Sequence, residues 1–235
     1  MVGTEHTSKQ FDAELEAVRA RVLQMGGLVE NQIKLAIESL VTGDVALMNQ
    51  VIEDDHRVNL MEVEIDESCN HILVRRQPAA GDLRMVMTVI KTITDLERIG
   101  DEAEKIARMA KLLSQKERLH LPRYNEIKHA SDIALDMLRK SLDAFARLNL
   151  VAAAEVVRQD EQVDEEFRAI MRYLITFMME DPRTISTSLE ILFVAKAIER
   201  IGDHAKNMSE YVVYMVKGRD VRHVTVEEIE REVQL

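Results

Sequence analysis

The sequence predicts an all-α protein, two pseudo-symmetric three-helix bundles made of six long antiparallel helices. Three observations carry that reading. Helix breakers are scarce in 235 residues, with 8 glycines and 3 prolines. Apolar residues recur at steps of three and four rather than two. The chain also repeats itself at a period near 100 residues, too long for a solenoid and suited to a duplicated bundle.

The first segment, 8–42, places Phe11, Leu15, Val18, Val22, Met25, Val29, Ile33, Ile37 and Leu40 on one face. Thr42-Gly43-Asp44 breaks it. The second, 44–76, has the seam Val51, Asp55, Val58, Glu62, Ile65, Cys69, Ile72 and ends at Gln77-Pro78. The third, 82–117, reads Ile90, Ile93, Glu97, Gly100, Glu104, and His120-Leu121-Pro122-Arg123 closes the first half. A fourth segment, 124–148, ends at Asn149. The fifth, 150–180, repeats Val156, Val163, Ile170 and Phe177 every seven residues and stops at Asp181-Pro182. The sixth, 183–217, reads Leu192, Ala195, Glu199, Gly202, Lys206. Short breaks make neighbours antiparallel. The expected units are therefore 8–118 and 123–217, followed by a short acidic tail, 218–235.

The duplication is visible residue by residue. Glu97-Arg98-Ile99-Gly100-Asp101 returns as Glu199-Arg200-Ile201-Gly202-Asp203 at an offset of 102. Earlier segments align at an offset of 105: Leu28, Ile33, Ile37 and Leu40 with Ile133, Leu138, Leu142 and Phe145, and Val51, Asp55 and Val58 with Val156, Asp160 and Val163.

Composition narrows the function. Lys plus Arg number 31 against 42 Asp plus Glu, a formal charge of −11, which opposes charge-driven nucleic-acid binding. No run approaches 18 apolar residues, so no membrane insertion is expected, and Met1–Gln10 has no apolar signal core. The single cysteine, Cys69, excludes an internal disulfide and a Cys-based zinc site, fits a reducing compartment, and falls in an apolar stripe as a packed thiol. No phosphate-binding glycine loop, nucleophile elbow or His-Glu-x-x-His string is present. Glu53–His56 and Glu126–His129 have the Glu-x-x-His spacing of ferritin-like di-iron sites, but both histidines read as surface residues.

The informative feature is acids in core register. Asp55 and Asp160 occupy seam positions, and Glu97 and Glu199 face inward or lie at the rim. Each has a second ligand-type residue four places on: Asn59, Asp164, Asp101 and Asp203. Residues i and i+4 share a helix face about 6 Å apart at Cβ. The second copy can thus gather Asp160, Asp164, Glu199 and Asp203. Clustered carboxylates repel and are costly to bury unpaired, so cations are the natural resolution. All-oxygen ligands favour hard ions, and several bridging carboxylates allow a multinuclear cluster. The competing account is a solvated face in which Asp101 pairs with Lys105, and Asp203 with Lys206 or Asn207. Gly100 and Gly202 sit mid-helix, where their lack of a side chain admits a close helix or a metal shell. His204 is open to a ligand, supporting or structural role. Arg75, Arg76 and Arg84 flank the second turn, either gripping an acidic partner or an anion or lying solvated at helix ends.

Thr94 through Ala103 and Ala197 through Asn207, together with Arg75-Arg76-Gln77-Pro78 and Asp82-Leu83-Arg84, resemble the paired signatures and the preceding turn of the PhoU family, regulators of bacterial phosphate uptake. The resemblance spans roughly 8–217. It implies metal sites at Glu97, Asp101 and Asp55 in the first bundle and Glu199, Asp203, Asp160 and Asp164 in the second. Asn59 stands where a carboxylate would complete the first, so a weaker or smaller first site is expected, and Lys105 stands opposite Asn207. The metals implied are multinuclear clusters of iron, or of Mg, Mn or Zn. The implied role is not enzymatic: a cytoplasmic negative regulator of the phosphate-starvation response, a homodimer held at the inner membrane by a sensor histidine kinase and the phosphate ABC transporter, whose uptake it restrains. A metal-independent helical scaffold and a di-iron oxidase are the alternatives.

Overall fold

The computed structural model describes residues 9–115 and 124–234. Among them lie α1 (Lys9–Thr42), α2 (Val45–Arg76), α3 (Ala80–Ser114), α4 (Tyr124–Arg147), α5 (Leu150–Glu180), a short 3-10 turn (Pro182–Thr184), α6 (Ile185–Lys217) and α7 (Val226–Gln234). No strand occurs among the described residues. The six predicted helices form with their breaks nearly as read. The end of the third segment at 117, the His120–Arg123 break and Met1–Ser8 lie outside the described residues.

Local chemistry sets the boundaries. Asp44 Oδ1 accepts from the amides of Ala46 and Leu47 at 2.8 and 3.3 Å, starting α2. Asn149 does the same for Val151 and Ala152 at 3.1 and 3.2 Å, starting α5. Pro182 opens the 3-10 turn, where its missing N–H costs nothing.

The tail needs a correction, because α7 lies within it. Thr225 Oγ1 accepts from the Glu228 amide at 3.3 Å while Glu228 accepts from the Thr225 amide at 3.0 Å, a reciprocal cap. Val221 and Ile229 are buried, and α7 packs on α5. Reading 218–235 by net charge passed over this apolar pair.

Helices α1–α3 pack on one another, as do α4–α6, and α3 packs most extensively against α6. Fifteen residues of α3 and seventeen of α6 are buried, against seven of α2 and eight of α5. The central helices are therefore α3 and α6, each with more than one covered face. They run antiparallel: Arg84, Lys91, Asp95 and Glu102 meet Met215, Tyr211, His204 and Arg200 in reverse order. The core is continuous across both halves. Cys69 is fully buried, and burial pushes its thiol up to about 12, so it packs as a small apolar group.

Two glycines one residue apart separate packing from propensity. A Cβ on Gly26 would stand 2.6 Å from Leu142 of α4, whereas one on Gly27 would meet nothing within 4 Å. Gly26 is thus the close approach between α1 and α4.

Buried polar groups bridge the halves. His204 Nδ1 and Asp95 Oδ1 lie 2.7 Å apart, both side chains nearly fully buried, and Asn207 Nδ2 donates to the same oxygen at 3.4 Å. Tyr211 also bonds Asp95, and burial together with that carboxylate pushes its phenol up. Glu102, likewise buried, receives Arg200 at 3.0 Å and Lys105 at 2.7 Å.

Glu210 on α6 is 7% exposed, and burial pushes its carboxyl up to about 7, with Asp160 and Asp220 adding and Lys206 and Arg222 opposing. Its folded value lies above its ordinary 4.5, so the stability it contributes is present at low pH and lost as pH rises through about 7. Thermal unfolding should therefore move to higher temperature from pH 8 to pH 6. Glu210→Gln should stabilise the protein at pH 8 by about 2 kcal/mol and flatten that dependence. Calorimetry of both proteins across that range checks it.

Candidate acid grooves

Asp55 and Asp160 fall inside the core as their register requires, at 6% and 8% exposure. Glu97, Glu199, Asn59, Asp164 and Asp203 are half-buried, and Asp101 is exposed. Each half thus carries one acid-lined groove between its second and third helices.

In the first groove Asn59 Nδ2 donates to Asp55 Oδ2 at 3.1 Å, and Gln32 of α1 donates through Nε2 to the Val51 carbonyl at 3.2 Å. Asp55 Oδ1, Asn59 Oδ1 and Gln32 Oε1 are left buried without partners. Gly100 makes the space beside two of them: a Cβ there would lie 3.3 Å from Gln32 Oε1 and 3.5 Å from Asp55 Oδ1. Burial raises the Asp55 carboxyl, Glu104 adds to it, and the Asn59 amide that donates to it draws it back in part. Burial also raises Glu97, reinforced by Asp101, Glu62 and Asp55, and raises Asp101, reinforced by Asp55, Glu104 and Glu102. The anticipated Asp101–Lys105 pair gives way to Lys105 on Glu102.

The second groove is arranged differently. Lys206 donates to Asp160 at 2.6 Å, Lys196 to Glu199 at 2.6 Å, and Arg168 to Asp164 at 2.9 Å. Lys206 therefore reaches across to α5 rather than pairing with Asp203 on its own helix. Burial, then Glu199 and Asp160, push Asp203 up to about 6. The three atoms nearest to a Cβ on Gly202 would all belong to Val163, the first 3.5 Å away. Val226 and Glu227 of α7 line a cavity of about 340 Å³ with Asp160, Asp164, Arg168 and Lys206.

Among the described residues, no three His, Cys, Asp or Glu side chains are drawn close enough to hold one metal ion. Like charges separate, and Asp55 turns to the Asn59 amide, Asp160 to Lys206, Glu199 to Lys196 and Asp164 to Arg168. A cation nevertheless suits the first groove, where the orphaned Gln32 Oε1 and Asp55 Oδ1, both hard donors, flank the space that Gly100 leaves. The second groove already holds ammonium and guanidinium partners.

His56 and His129 are both exposed, and His129 lies 3.8 Å from Glu166. His204 is a buried bridge between halves. Arg76 is held by Glu14 at 2.6 and 2.9 Å and Arg84 by the Met215 carbonyl at 3.4 Å, while Arg75 is exposed. Sequence reasoning passed over Gln32, Asp95 and Glu102. Gln32 interrupts the stripe Met25, Val29, Ile33, Ala36, the same signal that singled out Asp55.

Fold and grooves together define a class: a duplicated three-helix bundle whose halves each present an acid groove flanked by a mid-helix glycine. The PhoU domain model matches residues 22–110 and 127–212, once in each half. The chain is 49% identical over 232 residues to a phosphate-specific transport system accessory protein PhoU homolog of Pseudomonas putida, covering 98% of this chain and 90% of that protein. It is 47% identical over 227 residues to the Escherichia coli K12 accessory protein PhoU, covering 97% and 93%. The crystal structure of PhoU from Pseudomonas aeruginosa superposes with a TM-score of 0.85 at 48% identity, over 89% of this chain and all of that one. The phosphate transport system regulatory protein PhoU of Streptococcus pneumoniae gives 0.83 at 28% identity, over 90% and 99%. The chain belongs to the PhoU family.

Proposed function

We propose that this chain is an accessory regulator of phosphate transport that restrains the phosphate-starvation response when phosphate is plentiful. The observation carrying this reading is kinship with phosphate-specific transport system accessory proteins over nearly the whole chain, with both halves matched. In this reading it works as an adaptor, a homodimer linking the phosphate ABC transporter to a sensor histidine kinase at the cytoplasmic face of the inner membrane. Among the described residues no helix is long and apolar enough to cross a membrane, and in this reading attachment runs through those protein partners. Cations at Asp55, Asn59, Glu97 and Asp101, and at Asp160, Asp164, Glu199 and Asp203, would neutralise the grooves and fix the helix faces that dock. No catalytic role is proposed.

Deleting the gene should leave phosphate-regulated transcription at its starved level in high phosphate, and unchanged expression would overturn the proposal. Complementation with Glu97→Ala/Asp101→Ala and with Glu199→Ala/Asp203→Ala then asks whether the acids are needed. A metal-independent scaffold is the second reading, favoured by the Lys206, Lys196 and Arg168 pairs that already neutralise the second groove. Elemental analysis of protein purified without chelator separates the two: metal-free protein that still docks supports the scaffold. The exposure of His56 and His129 gives the di-iron oxidase reading no support.

A further inference from the structure

The duplication pairs positions that differ in charge, one pair by reversal and one by loss. Glu104 of α3 corresponds to Lys206 of α6 at the offset of 102, and Glu62 of α2 corresponds to Phe167 of α5 at 105. The first groove therefore gathers Asp55, Glu62, Glu97, Asp101 and Glu104 with one bonded cation, the exposed Arg108 on Glu104, whereas the second sets Asp160, Asp164, Glu199 and Asp203 against three.

We propose that the two grooves are not equivalent: the first takes a hard divalent cation at a site completed by Gln32 of α1, and the second carries its cation built in, as the Lys206 ammonium. This rests on reading the grooves as cation sites, narrows the bound cation to the first groove, and reverses the expectation that the first is the weaker.

The amide orientations point this way. Gln32 Nε2 is committed to the Val51 carbonyl, so Gln32 turns its oxygen to the Gly100 space, while Asn59 Nδ2 is committed to Asp55 Oδ2 and leaves its own oxygen buried without a donor. Gln32 is 1% exposed, and its Oε1 finds no donor. A buried carbonyl-type oxygen without a donor is costly, and here it lies beside the equally unpartnered Asp55 Oδ1 at the Gly100 space. Two amide oxygens and a carboxylate are ligands for Mg²⁺, Mn²⁺ or Ca²⁺ rather than for softer ions. Glu97 and Asp101 lie at the rim to complete the shell.

In the second groove Met137 stands at the position equivalent to Gln32. None of the four carboxylates there has a buried oxygen without a partner. Lys206 Nζ, 2.6 Å from Asp160 Oδ2, supplies the positive charge on the acid equivalent to Asp55.

The test is Mn²⁺ binding to the chelator-stripped full chain, with free Mn²⁺ read by electron paramagnetic resonance. Gln32→Met, which copies the second half, and Asp55→Asn should each weaken the tightest class about tenfold or more, while Gln32→Glu retains it. Asp160→Asn should leave that class unchanged. Lys206→Glu, which copies the first half, should add a second class. Far-UV circular dichroism and cooperative unfolding establish that each variant is folded. Tight binding indifferent to Gln32→Met and Asp55→Asn, or governed by Asp160, overturns the inference alone. Failure of Lys206→Glu to add a class overturns its second half. No Mn²⁺ or Mg²⁺ bound by the unaltered chain overturns the cation reading itself.

Discussion

Replacing Asp95 by alanine is expected to destabilise the protein by about 3 kcal/mol, because it strips the shared acceptor from a buried bridge between the halves. His204, Asn207 and Tyr211 of α6 all turn to that carboxylate. His204 Nε2 already lacks a partner, so after the substitution both ring nitrogens would be buried and unsatisfied. The loss should appear in urea unfolding as a lower midpoint with an unchanged slope, since the same surface is exposed. Asp95→Asn, which keeps an acceptor oxygen, should lose less. A loss below about 1 kcal/mol for the alanine variant would mean that the Asp95 bridge contributes little to joining the halves.

The second large effect is steric. Gly26→Leu is expected to cost about 3 kcal/mol, the upper range for an overpacked core, because even a Cβ there collides with Leu142. Gly27→Ala is the control on the same turn: exposed and unobstructed, it should stabilise by about 0.5–1 kcal/mol through helix propensity. Opposite signs at adjacent positions in thermal unfolding would establish the α1–α4 approach. Equal effects would refute it.

The helices and their ends were legible because they are local. Asp44 and Asn149 cap the helices they precede, and steps of three and four place Phe11 through Leu40 on one buried face. The register of Asp55 and Asp160 was legible for the same reason, since helix geometry ties each to the apolar positions beside it. Less was legible at α7, where net charge concealed Val221 and Ile229. The charge reversal between Glu104 and Lys206 was present in the aligned repeats, but its meaning depended on where the Lys206 ammonium goes.

The amino-acid sequence by itself determined the helical class, the duplication and the inward placement of one acid per half, because backbone hydrogen bonding fixes which residues share a face. Tertiary packing decided the partners of the buried polar groups that meet across helices. α3 and α6 each bury more than one face, so the rotation of each helix about its axis selects which polar residues meet: Asp95 with His204, Lys206 with Asp160, Gln32 beside Asp55. That rotation is set by the summed contacts of the whole core, and a long side chain such as lysine reaches several acids with nearly equal ease until the core has chosen.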